Sequence, residues 1–81
     1  IRDRKSRENM EKAIDYYSAV TDRYPYSDAA ADAYLRKGEI LSQEFHDYDA
    51  AKDVYETFLK RFPDHAEVRN IRRKLEDLEG Y

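Results

Sequence analysis

The stretch that decides the fold is Tyr48-Asp49-Ala50-Ala51-Lys52-Asp53-Val54-Tyr55-Glu56-Thr57-Phe58-Leu59-Lys60-Arg61-Phe62-Pro63. Its apolar residues recur at the three-and-four spacing that places side chains on one face of a helix. They are Tyr48, Ala51, Tyr55, Phe58, Leu59 and Phe62. Pro63 lacks the backbone N–H that a continuing helix needs, and it disfavours helical geometry at Phe62. The stretch therefore predicts an amphipathic helix that ends just before Pro63.

The same pattern occurs earlier in the chain, so the sequence contains an internal repeat. Pro25 and Pro63 are 38 residues apart, and the residues before each proline match at the same offset. The matched pairs are Ala13 with Ala51, Tyr17 with Tyr55, Arg23 with Arg61 and Tyr24 with Phe62. Repeats at a period in this range are typical of stacked helical units.

The composition narrows the fold class and the kind of function. Of the 81 residues, 41% are hydrophobic and 41% are charged, with two glycines and two prolines. This balance suits one domain of helices that each bury one face, and it suits a sheet poorly. The net charge of −3 argues against a protein that binds nucleic acid through its overall electrostatic potential. The absence of cysteine excludes disulfides and thiolate metal sites, and no apolar run approaches the ~18 residues of a membrane span.

Four helices are predicted within a single domain over residues 1–81, at about 3–24, 28–45, 48–62 and 65–79. Ser27 and Asp47 are the expected N-caps of the second and third helices. Asp64, with Glu67 three residues later, is the expected capping box of the fourth helix, and Gly80 is its expected C-terminal cap. Because the connections are short, neighbouring helices are expected to pack antiparallel.

The first residue, Ile1, is not methionine, and no signal-peptide pattern follows it. We therefore expect the chain to be a fragment of a longer protein, with any targeting signal outside it.

Seven of the eight tyrosines divide into two groups. Those on or near the predicted apolar faces are expected in the core, with each hydroxyl at its edge; they are Tyr17, Tyr24, Tyr34, Tyr48 and Tyr55. Tyr16 and Tyr26 fall outside these faces. They are either ordinary surface residues or aromatic contacts for a partner.

The sequence shows no catalytic or metal-binding constellation. His46 and His65 lie in predicted connections without a second ligand at a suitable spacing, so we interpret them as exposed or capping histidines. Asp28 and Asp47 lie at predicted helix starts, where acids stabilise the helix dipole. There is no glycine-rich phosphate loop and no nucleophile elbow. We therefore expect no enzyme activity and no cofactor.

A basic cluster in the fourth helix has two interpretations. It consists of Arg69, Arg72, Arg73 and Lys74. One interpretation is a basic strip for phosphate or an acidic partner. The other is a solvated helix face, which the interleaved acids favour because Arg72 and Glu76, and Arg73 and Asp77, are four residues apart and within pairing reach.

The pattern Ala51-x-x-x-Tyr55-x-x-Phe58-Leu59-x-x-Phe62-Pro63, with Gly38 on the preceding helix, resembles a tetratricopeptide repeat (TPR). In this resemblance Gly38 is the small residue of helix A, Ala51 that of helix B, and Pro63 the closing proline. Residues 33–41 and 48–51 are similar in style to repeats of bacterial outer-membrane assembly lipoproteins and Tol-Pal coordinator proteins.

The chain departs from the family pattern in two places. Its period of 38 residues exceeds the usual ~34, so extra residues are expected between Pro25 and Gly38 and before Ala51. Lys37 stands where the family prefers an apolar residue. Longer repeats of this kind are common in the cell-envelope group.

The resemblance implies an all-α fold of antiparallel helical hairpins, a right-handed TPR-like α-solenoid of four helices. It also implies a concave groove lined mainly by the A helices, here the second and fourth. The implied partner-binding residues are Asp32, Leu35, Glu39 and Ser42 in the second helix and Asn70, Arg73 and Asp77 in the fourth. The implied function is a non-catalytic scaffold that binds a protein or peptide segment, in a bacterial cell-envelope assembly. The periplasm or cell envelope is favoured as its location, and the cytoplasm stays open.

A second class of function stays open beside the scaffold. About one and a half to two repeats bury little core, and solenoids usually need about three. The chain is alternatively a structural or self-assembling subunit that forms homo-oligomers through its open solenoid ends. An enzyme would need catalytic residues from elsewhere in the parent protein. We expect no nucleic-acid partner.

Overall fold

The computed structural model describes residues 4–80, which form four α-helices and one π-helix. In chain order these are α1 (Arg4–Arg23), α2 (Asp28–Glu39), the π-helix (Ile40–Glu44), α3 (Tyr48–Arg61) and α4 (Val68–Glu79). No residue between 4 and 80 belongs to a strand. The predicted all-α class is therefore confirmed.

Each helix packs on the next along the chain: α1 on α2, α2 on α3, and α3 on α4. The shortest dimension of the Cα trace is 17 Å, which corresponds to two layers of helices at the usual spacing. The core lies mainly between α2 and α3, and its fully buried large side chains are Tyr55, Phe58 and Ile71. The stretch from Tyr48 to Arg61 thus supplies the centre of the core.

The predicted caps of α2 and α3 are confirmed. The Ser27 hydroxyl accepts a hydrogen bond from the backbone N–H of Ala30 at 3.0 Å. The Asp47 carboxylate accepts one from the N–H of Ala50 at 3.3 Å. Each side chain satisfies one of the amides that the first turn of a helix leaves without a partner.

The fourth helix begins at Val68, three residues later than predicted. The prediction of a capping box formed by Asp64 and Glu67 is wrong, because no side chain among residues 4–80 caps this helix in that way. His65 Nδ1 accepts a hydrogen bond from the backbone N–H of Glu67 at 3.0 Å. The His65 imidazole, rather than the Asp64 carboxylate, therefore caps an amide at the start of α4. The ring of His65 is held beside that amide by the rings of Phe58 and Phe62, with centroids 5.2 and 6.3 Å away. Residues 63–67 therefore form turns rather than a first helical turn.

The π-helix is a further difference from the sequence prediction, which extended the second α-helix to residue 45. It lies between Gly38 and Ala51, where an extra residue was expected. A π turn holds more residues than an α turn and so absorbs an insertion without ending the helix. Its Ser42 hydroxyl donates to the carbonyl oxygen of Gly38 at 2.9 Å. Just after it, His46 adopts a left-handed conformation with φ of 53°.

Tyr24 is not in the core, contrary to the prediction. Its exposed fraction is 60%, close to the 66% of Tyr16 and the 73% of Tyr26. Its counterpart Phe62 is covered by the ring of Tyr34 in α2, with centroids 6.4 Å apart. Residues 4–80 hold no helix before α1 that could cover Tyr24 in the same way. The predicted surface positions of Tyr16 and Tyr26 are confirmed.

A close helix approach in the core lies between Gly38 of α2 and Tyr55 of α3. Gly38 is buried, and Tyr55 is only 1% exposed. A Cβ atom added at Gly38 would overlap the Cε1 and Cζ atoms of the Tyr55 ring. Only a glycine lets the aromatic ring lie against the backbone of α2 at this point.

We predict that Gly38→Ala lowers the free energy of unfolding by about 1–3 kcal/mol, because overpacking outweighs the ~1 kcal/mol gain in helix propensity. Urea denaturation measures this change. The matched control is Gly80→Ala, where the added Cβ would lie an ordinary 3.4 Å from the carbonyl oxygen of Asp77. Equal effects of the two substitutions would contradict the prediction.

Candidate functional site

A hollow lies between α2 and α4, and we call it the α2–α4 hollow. Its floor includes Leu35, which is half-buried, and Ile71, which is buried. Charged and polar side chains surround this floor. They are Asp28, Asp32, Arg36 and Glu39 from α2, Lys74 from α4, and His65 and Glu67 from the turns before α4.

The rim of the α2–α4 hollow is acidic overall, since four of its lining residues are carboxylates and two are cations. Arg36 Nε lies 3.4 Å from Asp32 Oδ2, one helical turn away. Lys74 Nζ lies 3.8 Å from Glu39 Oε1 and so links α4 to α2. Both pairs are partly exposed, so each contributes at most about 1 kcal/mol to stability. The hollow can therefore attract a basic partner as well as an apolar one.

A second hollow contains two other residues of the predicted set, Ser42 and Asp77, and it shares Lys74 with the first. Tyr55 lines it as well. Lys74 Nζ lies 6.0 Å from the centre of the Tyr55 ring, within the range of a cation–π contact. Lys74 thus stands between the two hollows.

The remaining predicted residues, Asn70 and Arg73, lie on a different side of α4. They line a third hollow together with His65 and Glu76. The predicted partner-binding residues therefore do not share one hollow: Asp32, Leu35 and Glu39 line the first, Ser42 and Asp77 the second, and Asn70 and Arg73 the third. Their binding role stays a prediction.

Ile71 and Lys74 line the hollow on the side of α4 that faces α2, where Asn70, Arg73 and Asp77 were predicted. Those three positions are the ones that lie 38 residues after Asp32, Leu35 and Glu39, and predicting them from the repeat period assumes that α2 and α4 are rotated alike. A signal for the actual rotation was present, because Lys74 lies three residues after Ile71 and four before Leu78, both of which are buried. Residues at this spacing share a helix face.

The described residues hold no group of three or more His, Asp or Glu side chains that could bind a metal ion. Within the same residues, no helix is both long and apolar enough to span a membrane. The geometry of the hollows, with an apolar floor and a charged rim, suits recognition of another molecule.

The order of the helices and the hollow between α2 and α4 define a helical-repeat protein. Residues 32–65 match the sequence model of the family described as Tetratricopeptide repeat. This segment contains Gly38, Tyr55 and Pro63, and the match supports a TPR-like repeat protein with a TPR-like helical fold. Such repeats generally mediate protein–protein interactions, and the family is generally a non-catalytic scaffold. No curated protein and no solved structure matches the chain.

Burial raises the pKa of Tyr55 above its usual value, the hydrogen bond with Ser42 lowers it, and the negative charge of Glu39 raises it. The net direction is upward. An unfolded chain loses this proton near pH 10, whereas the folded chain keeps it to a higher pH. The contribution of the neutral phenol to stability is therefore complete below about pH 10 and is lost as the pH rises towards the folded-state pKa.

We predict that the stability advantage of the wild type over Tyr55→Phe shrinks above about pH 10, because the variant keeps the ring but has no proton to lose. Urea denaturation of both proteins over a pH series measures the difference. Tyr16→Phe is the control, since Tyr16 is 66% exposed, and its difference from the wild type should stay constant. A constant difference for Tyr55→Phe as well would contradict the prediction.

Proposed function

We propose that this protein is a non-catalytic scaffold that binds a protein or peptide segment in the α2–α4 hollow. The observation that carries the proposal is the half-buried Leu35 beside buried Ile71, framed by charged side chains between two A-type helices. The match of residues 32–65 to a family that generally mediates protein–protein interactions supports it.

The chemistry of the hollow indicates what the bound segment contains. An apolar side chain placed on Leu35 would bury surface that the protein leaves partly in water. The surplus of carboxylates on the rim, including Asp28 and Glu67, favours basic side chains beside that anchor. We infer a segment with one apolar residue flanked by Lys or Arg.

A bacterial cell-envelope assembly is the setting that we propose for this scaffold. Its support is the similarity in repeat style of residues 33–41 and 48–51, together with the long period of 38 residues.

A second candidate function is self-association through α1 and Tyr24, the residue that follows it. Tyr16 and Tyr24 leave 66% and 60% of their surface exposed, and tyrosine is enriched at protein interfaces. In this alternative, the exposed tyrosines contact a second copy of the chain, and the protein is a structural subunit.

We predict that Leu35→Asp weakens peptide binding at least tenfold, because it places a charge where the apolar anchor would lie; tenfold corresponds to about 1.4 kcal/mol. Peptides are first selected on the wild type from a displayed random library, and their affinities are then measured by fluorescence anisotropy. The control is Ala19→Asp, which adds the same charge at an exposed position of α1. Circular dichroism confirms that both variants fold. Selected peptides that bind both variants alike would refute the proposed site.

The self-association alternative makes a separate prediction for the oligomeric state. Size exclusion with light scattering, over a wide range of concentrations, should show a monomer if α1 is free. A dimer that appears with concentration, and that Tyr16→Ser with Tyr24→Ser abolishes, would establish the second candidate instead.

A further inference from the structure

The outer face of α4 carries three arginines, and we call it the arginine face. Arg69, Arg72 and Arg73 are all exposed, and they line the third hollow with His65, Asn70 and Glu76. Glu76 is the one carboxylate in that lining. The surface is therefore strongly cationic, although the chain as a whole has a net charge of −3.

These arginines lack the ion pairs that the sequence suggested. Glu76 and Asp77 stand four residues after Arg72 and Arg73, yet among residues 4–80 neither arginine has a carboxylate oxygen within ion-pair distance. Other cations do pair at such spacings, as Arg7 does with Glu11 at 3.5 Å. The three arginines are solvated, as one interpretation of the sequence held, but Arg72 and Arg73 are not neutralised by the acids four residues later.

The arginine face is unsuited to cover by another helix. Arg69, Arg72 and Arg73 are exposed and charged, whereas Ile71 and Leu78 form the buried side of α4. Burying such charges without partners under another helix is costly.

We propose that the arginine face is a docking surface for an acidic polypeptide segment, rich in Asp or Glu. The planar guanidinium group of arginine binds a carboxylate through two parallel hydrogen bonds, which gives both strength and orientation. Asn70, in the same hollow, donates from its amide nitrogen to Glu67 Oε2 at 3.0 Å, and its amide oxygen can accept a hydrogen bond from the backbone of the segment. Because Arg69 and Arg73 are one turn apart, and Arg72 lies between them, successive carboxylates of one segment can each meet a guanidinium group.

An acidic polypeptide fits this surface better than a nucleic acid does. A nucleic acid carries its charge along a continuous backbone that extends beyond three contacts. It would meet the carboxylate of Glu76 within the hollow and those of Glu67, in the turn before α4, and Asp77, within α4. The net negative charge of the chain would also oppose its approach. A short acidic segment avoids most of these repulsions.

The arginine face and the α2–α4 hollow share only His65 among their lining residues. Leu35 and Glu39 line only the hollow, and Arg69 and Arg72 line only the arginine face. The two proposals can therefore fail independently of each other.

The test measures the binding of a fluorescent oligoglutamate peptide by anisotropy at low salt. We predict that Arg69→Glu with Arg72→Glu weakens binding at least tenfold, because repulsion replaces attraction at two contacts. The matched control is Lys12→Glu with Lys60→Glu, which has the same net charge but alters exposed lysines of α1 and α3. Binding to the control should weaken by less than about threefold, since screening limits the effect of distant charges.

Several outcomes would overturn this proposal. The first is an absence of saturable binding to the wild type, and the second is equal weakening in the two double variants, which would indicate only an effect of overall charge. A single-stranded oligonucleotide of equal charge that binds more tightly than the peptide would also refute it. Circular dichroism establishes that each variant is folded. Leu35→Asp should leave oligoglutamate binding unchanged, and a tenfold loss there would show that the peptide occupies the α2–α4 hollow instead.

Discussion

The rest of the structure depends on the approach of the Tyr55 ring to the backbone of α2 at Gly38. A side chain at Gly38 would occupy the space of that ring, so the spacing of α2 and α3 follows from the missing Cβ atom. The ring also reaches the other elements. Its hydroxyl forms a hydrogen bond with Ser42 of the π-helix, and Lys74 of α4 lies over its face. One buried aromatic side chain of α3 thus contacts α2, the π-helix and α4.

The rotation of α4 determines which of its side chains line each hollow. Because Ile71 is buried and Lys74 reaches Glu39, the side of α4 that faces α2 is apolar and cationic, and it closes an acidic hollow. Arg69 and Arg73 then point away from α2 and line a separate surface. The protein therefore presents an acidic and a cationic surface on different sides of one short helix. Surfaces of opposite sign suit partners of different chemistry.

Some local features could be predicted from neighbouring residues, and others could not. Ser27 and Asp47 cap helices through amides only three residues away. The sequence signal for each cap therefore lies within a few neighbouring residues. The start of α4 depends instead on His65, whose ring is oriented by Phe58 and Phe62. Asp64 is the better cap by residue type, but the imidazole is the acceptor that packing brings to the amide. A prediction from residue type alone therefore fails here, because the contacts of His65 with Phe58 and Phe62 bring a different acceptor to the amide.

The sequence by itself determined the all-α class, the end of α3 before Pro63 and the internal repeat. These follow from backbone geometry and from the period of apolar residues, which act over a few positions. Only the tertiary structure decided which side of α4 faces α2, and hence that the seven predicted binding residues lie in three hollows. The helical period shows which residues share a face, but the rotation of that face depends on contacts between residues far apart in the chain, such as Glu39 and Lys74.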